Sequence, residues 1–84
     1  MLEVTLYTKD DCSLCEKAKA VLFAVREQIP FEYVEVDITS DASTYEEFRE
    51  QIPVIFVNGR KAFKFHVSAE ELTKRLRREL SRGS

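Results

Sequence analysis

Tryptophan is absent from this 84-residue sequence, and there are only two glycines, two prolines, two cysteines and one histidine. So little Gly and Pro, beside 44% hydrophobic and 33% charged residues, excludes a disordered tail or a low-complexity linker. No apolar run approaches the roughly 20 residues of a membrane-spanning helix. No basic stretch followed by a long apolar one opens the chain, so no signal peptide is expected. Two cysteines are too few to staple a small secreted scaffold. A structural zinc site takes four ligands, and His66 is some fifty residues from the cysteine pair, so a metal would have to be shared between subunits. No internal repeat is visible. These absences leave a single soluble domain over residues 1–84, expected in the cytoplasm, with a modest core.

A net charge of −2 points to no particular partner, but its distribution is uneven. Glu32 to Glu50 holds seven acids and one base, whereas Arg60 to Arg82 holds eight bases and three acids. A basic stretch can meet nucleic-acid phosphates. No Tyr or Trp interleaves these cations, however, and cations near a helix C-terminus complement its dipole. They are read as a solvated helix face. Residues from about Ser81 to Ser84 are read as a frayed tail.

Leu2 to Tyr7 alternates, Val4 and Leu6 against Thr5 and Tyr7, and predicts a strand. Thr8 to Asp11 forms a turn. A helix is expected from about Cys12 to Gln28, because Leu14, Ala18, Val21, Leu22, Val25 and Ile29 step by three and four. Pro30 stops it. Phe31 to Ile38 predicts a second strand, and Thr39 to Ser43 a polar turn. A short helix then runs through Tyr45 and Phe48 from a Ser or Asp cap. Pro53 opens the apolar run Val54-Ile55-Phe56-Val57. Asn58-Gly59 is a strong hairpin signal, and Lys61 to Val67 returns as the partner strand. Ser68 and Glu71 form a capping box, with Leu72, Leu76 and Leu80 expected on the inner face of the last helix. The order is βαβαββα. Strands joined through a helix run parallel and a hairpin adds antiparallel ones, which predicts an α/β fold: a four-stranded mixed sheet flanked by three helices.

Cys12-Ser13-Leu14-Cys15 falls where the first helix begins. Cysteines three apart at a helix start share a face, within reach of a disulfide. The first meets unpaired backbone N–H groups and the positive end of the helix dipole. Both favour a thiolate, the nucleophile of disulfide exchange. Cys12 is therefore expected as the attacking nucleophile and Cys15, one turn deeper, as the resolving thiol. Lys9 adds a cation beside Cys12, opposed by Asp10, Asp11 and Glu16. The bland alternative is two free core thiols that happen to share this spacing.

Gln51-Ile52-Pro53 precedes a buried strand, a position where proline is tolerated. A cis bond there would turn the Ile52 backbone outward to pair with an extended thiol substrate. The alternative is a trans proline that only starts the strand. Leu14 either caps the core or forms an apolar lip. Phe63 and Phe65 either form an apolar rim suited to a protein substrate or pack in the core, and Tyr7 and Tyr45 have the same two readings. His66, at the end of an edge strand, is read as a surface or half-packed residue.

Leu6-Tyr7-Thr8-Lys9-Asp10-Asp11-Cys12-Ser13-Leu14-Cys15 resembles the opening of glutaredoxins, and Ile52-Pro53-Val54-Ile55-Phe56-Val57 resembles the cis-proline segment of the thioredoxin superfamily. The resemblance runs from Leu2 to about Leu80 and implies a thioredoxin/glutaredoxin-like fold. It implies Cys12 as nucleophile, Cys15 as resolving residue and Pro53 as the cis proline, with Lys9 and Ile52 lining the substrate groove. Two departures stand out. Leu6 occupies the position of the buried carboxylate of thioredoxins, and Phe63-Lys64-Phe65-His66-Val67 stands where glutaredoxins carry a Gly-Gly pair that helps bind glutathione. The sequence is most similar to small glutaredoxin-like proteins that share these departures.

The expected function is therefore thiol–disulfide oxidoreduction by the Cys12/Cys15 dithiol. The substrate would be a disulfide-bearing protein or a small thiol compound, with a reductase as a candidate partner. No bound cofactor, metal, nucleic acid or membrane is expected; glutathione is a candidate reductant, and the protein is expected to be a monomer. Two alternatives belong to other classes. One is a partner-docking module with redox-regulatory thiols. The other is a carrier of a metal or iron–sulfur cluster bridged by two subunits.

Overall fold

The computed structural model describes residues 2–82. The first strand, β1 (Glu3–Thr8), buries every second residue, Val4, Leu6 and Thr8. The first helix, α1 (Ser13–Arg26), buries Cys15, Ala18, Leu22 and Val25, the three-and-four spacing of one helical face. Strand β2 (Glu32–Asp37) follows, then a 3-10 turn (Ile38–Ser40) and helix α2 (Ala42–Phe48). The hairpin strands are β3 (Val54–Val57) and β4 (Arg60–Lys64), and helix α3 (Ala69–Arg82) closes the chain of elements. The sheet order is β2-β1-β3-β4. β1 pairs parallel with β2 and antiparallel with β3, and β4 pairs antiparallel with β3, so the expected mixed four-stranded architecture is present.

The period of two along each strand builds two cores. Val4, Leu6, Ile55 and Val57 face α1 and α3, packing with Ala18, Leu22, Val25, Leu72 and Leu76. Tyr7, Val54 and Phe56 face the other way and pack with Ile38, Phe48, Tyr45 and Ile52. Tyr7 stacks at 4.6 Å on Phe48 and 5.3 Å on Phe56. Both tyrosines left open by the sequence, Tyr7 and Tyr45, are thus packing residues. A bulge between Ile55 and Phe56 sets Phe63 opposite Ile55 and Lys61 opposite Phe56. Ala62 and Phe63 consequently both pack against the α1/α3 core.

Turns follow from residue type. Asn58 and Gly59 both sit at positive φ, 50° and 80°, as a tight hairpin turn requires. Asn58 is tied to β1, accepting the Glu3 N–H at 3.0 Å and donating its own to the Glu3 carbonyl at 2.8 Å. Asp41 caps α2 by accepting the Thr44 N–H, which selects Asp rather than Ser as the cap. Ser68 accepts the Glu71 N–H at 3.1 Å, the first bond of the expected capping box, and its hydroxyl donates to the Glu71 carboxylate.

Several expectations need correction. The first helix is shorter than Cys12–Gln28, because Cys12 is its cap and the chain turns at Glu27. Part of the segment read as a polar turn, from Ala42 onward, already belongs to α2. The last strand stops at Lys64 instead of Val67, because Phe65 adopts φ +68°, outside the extended region. Leu80 is not an inner-face residue: it is 52% exposed, and Glu79 is buried in its place. A step of three from Leu76 reaches the inward face there, and a step of four overshoots it. The Glu79 carboxylate lies 3.6 Å from Arg82. Ser81 and Arg82, read as part of a frayed tail, are helical, whereas Gly83 and Ser84 lie outside the described residues.

Candidate active site

The strand register sets the site. Tyr7 lies opposite Val54 and Val54 opposite Lys64, so the next residues, Thr8, Pro53 and Phe65, share one end of the sheet. Phe65 donates its N–H to the Pro53 carbonyl at 2.8 Å, which extends the row by one hydrogen bond. β1 ends at this row and hands the chain to α1 through Lys9, Asp10 and Asp11. Asp11 takes φ +57°, a conformation Asp tolerates better than most residues.

Cys12 then caps α1 in an extended conformation, and its sulfur accepts the Cys15 N–H at 3.2 Å. Cys12 is half-buried, and its carbonyl receives the Glu16 N–H to start the helical ladder. Cys15 lies on the buried face of the helix and is 1% exposed. The two are joined as a disulfide with their Cα atoms 5.2 Å apart, within the usual range for such a bridge.

Lys9 is exposed, as are Asp10, Asp11, Glu16 and Lys17. Charges so placed are screened by solvent and act weakly on the sulfurs, so the backbone N–H at the cap is the specific polar contact of Cys12. The Ile52–Pro53 bond is cis, the first of the two forms left open. The Ile52 side chain packs beside Phe48 and Val54, while the Pro53 carbonyl is already engaged by Phe65. Leu6 is fully buried in the core that α1 and α3 cover. Among the described residues, no three His, Cys, Asp or Glu side chains gather as a metal-ligand set.

The two phenylalanines of β4 separate here. Phe63 packs against the core, whereas Phe65 is 38% exposed beside the site. Nothing in its residue type signals the left-handed backbone, which hairpin and cap residues usually supply. Leu14 is half-buried and lines a hollow of about 130 Å³ with Lys17, Val21, Phe65, His66 and Val67. Larger hollows of about 480 and 560 Å³ lie elsewhere, along α1/α3 and along β4/α3.

The family model described as "Glutaredoxin-like domain (DUF836)" matches residues 3–77. The chain belongs to this glutaredoxin-like family. It is 25% identical over 77 residues to the "Glutaredoxin-like protein YDR286C homolog" of Dictyostelium discoideum, covering 84% of this chain and 71% of that one. A structural-genomics target from X. campestris, XcR50, superposes with a TM-score of 0.75 at 30% identity, covering 87% of this chain and 93% of that one. Thioredoxin 1 of Thermosipho africanus superposes with a TM-score of 0.69 at 14% identity over 96% and 97% of the two chains. That last likeness shows the thioredoxin fold. In this glutaredoxin-like protein, the Cys-x-x-Cys pair occupies the junction of β1 and α1, and no described helix is long and apolar enough to cross a membrane.

Proposed function

We propose that this protein is a thiol–disulfide oxidoreductase that works through Cys12 and Cys15. The observation that carries this is the asymmetry of the pair. Cys12 is the half-buried cap residue whose sulfur accepts a backbone N–H, and Cys15 is buried one turn along. A hydrogen bond to sulfur and the positive helix terminus both favour the thiolate of Cys12 in the reduced protein.

The steps balance as follows. The Cys12 thiolate attacks one sulfur of the substrate disulfide; that S–S bond breaks, and the departing thiolate takes a proton from solvent. Cys15 loses its proton to solvent and attacks the Cys12 sulfur. The Cys12–substrate bond breaks, the second substrate thiol leaves, and the Cys12–Cys15 disulfide forms. Two electrons pass from the protein dithiol to the substrate, and an external thiol or a reductase returns them. Lys9, Ile52 and Pro53 line the groove in which the substrate lies, and the working species is a monomer in the cytoplasm with no bound cofactor.

Single substitutions test the roles. Cys12→Ser abolishes reduction of insulin disulfides. Cys15→Ser instead accumulates a mixed disulfide with substrate, seen by mass under non-reducing conditions. Full turnover by both variants would overturn the proposal, and a partner-docking role would replace it.

A further inference from the structure

We infer that the groove between β4 and α3 docks an extended acidic segment of a partner protein, with carboxylates on Arg75, Arg78 and Arg60 and an apolar residue over Ala62 and Phe63. The hollow there measures about 560 Å³ and is lined by Ala62, Phe63, Glu71, Lys74, Arg75 and Arg78. β4 is an edge of the sheet, so the groove is open along one side. Arg60 lies opposite Val57, which packs in the α1/α3 core, and paired residues share a face, so Arg60 stands on the α3 side. From Lys74 to Arg82, α3 carries five cations and one acid, Glu79. Glu79 is buried, so the solvent face of this stretch presents no carboxylate.

Arg75 decides the chemistry. It is half-buried, and acids four residues to either side are placed to pair with it along the helix. Both are engaged elsewhere: Glu71 accepts the Ser68 hydroxyl at 3.2 Å, and Glu79 is paired with Arg82 at 3.6 Å. Arg60, Arg75 and Arg78 therefore have no acid within ion-pair distance among the described residues. A half-buried guanidinium in this state has given up water and gained no partner, and its fork of donors matches a carboxylate. A run of nucleic-acid phosphates fits less well, because Glu71 also lines the hollow and Phe63 packs into the core and leaves no free ring for a base. The acidic β2 edge of a second copy is also a poorer match, since Glu35 is already held by Lys19 and Tyr33.

Fluorescence anisotropy with the oxidised protein reads binding alone, so its outcome is separate from that of the exchange reading. The probe is a labelled peptide of aspartates flanking a central leucine. It is expected to bind below about 1 mM, and about tenfold more weakly to Arg75→Gln/Arg78→Gln. Arg77→Gln/Lys17→Gln removes the same charge outside this hollow and should stay within about twofold. Serine in place of the peptide's leucine should weaken binding about fivefold. In the wild type itself, which needs no variant to fold, amide shifts on peptide addition are expected in β4 and in the Lys74–Arg82 stretch. No binding by the wild type, equal loss in both double variants, or shifts clustered elsewhere would overturn the inference. Tighter binding of a single-stranded oligonucleotide of equal charge would overturn it in favour of nucleic acid, and dimerisation that the peptide disrupts would overturn it in favour of a second copy.

Discussion

The two sulfurs are chemically the same residue in different surroundings. Cys12 stands at the cap with one face open, and Cys15 is enclosed by the α1/sheet packing. Solvation and the helix terminus favour ionisation of Cys12, whereas burial disfavours a charged Cys15. Brief iodoacetamide treatment of the reduced protein should therefore label Cys12 first, read by mass spectrometry of the digested chain. Preferential labelling of Cys15 would reverse the assigned roles. The placement of this pair, one sulfur at the helix cap and the other one turn along on the buried face, was legible in the sequence from its three-residue spacing. Phe65 was not legible. Its alternation with Lys64 suggested a continuing strand, whereas Phe65 takes φ +68° and leaves the extended conformation there.

At the scale of elements, α3 separates packing from pattern. Leu76 is fully buried and Leu80 is half exposed, although both fit the same apolar stripe. Leu76→Ala is expected to cost about 2–5 kcal/mol, the range for emptying a core leucine. Leu80→Gln should stay within about 0.5 kcal/mol, as for an ordinary surface change. Urea denaturation of the two variants compares them directly, and a large loss in Leu80→Gln would restore it to the inner face. The start of the same helix depends on Ser68, whose hydroxyl satisfies the Glu71 N–H. Ser68→Ala is expected to remove about 1 kcal/mol. That cap was readable from Ser-x-x-Glu alone, since both bonds are local. The burial of Glu79 was not, because an acid three residues after Leu76 gives no sign that it faces inward.

For the molecule as a whole, charge is arranged across the sheet. The β2 edge carries Glu32, Glu35 and Asp37, and the β4 edge carries Arg60, Lys61 and Lys64. Glu35 is held below the usual carboxylate range by hydrogen bonds from Lys19, at 2.8 Å, and from Tyr33. Thr39 lowers Asp37, and Ser43 and Thr44 lower Asp41. Lowered carboxylates stabilise the fold above their unfolded values of 4.5 and 3.8, and that contribution is lost as pH falls through the folded ones. Lys19 is raised chiefly by its bond to Glu35, and Tyr33 is raised first by burial. Their contribution is full below 10.5 and 10.0 and is lost as pH rises beyond the folded values. A plateau of thermal stability between these limits is expected, with Glu35→Gln flattening both the acid and alkaline arms. Equal slopes in variant and wild type would remove the Lys19–Glu35–Tyr33 cluster from this account.

The order of elements, the pairing sense of the strands, the Asn58-Gly59 turn and the Ser68 cap were determined by the sequence alone. Each rests on residues close in the chain, where spacing and backbone preference leave few outcomes. The placement of the Cys12-x-x-Cys15 pair belongs to the same class, because one helix terminus supplies its geometry. Only the tertiary structure decided which apolar residues are buried and which stand at the surface. Leu80 stands outward and Glu79 inward on packed α3, and Phe63 enters the core through the register set by the bulge while Phe65, at φ +68°, does not. Those outcomes depend on contacts between segments ten or more residues apart, which no local pattern encodes.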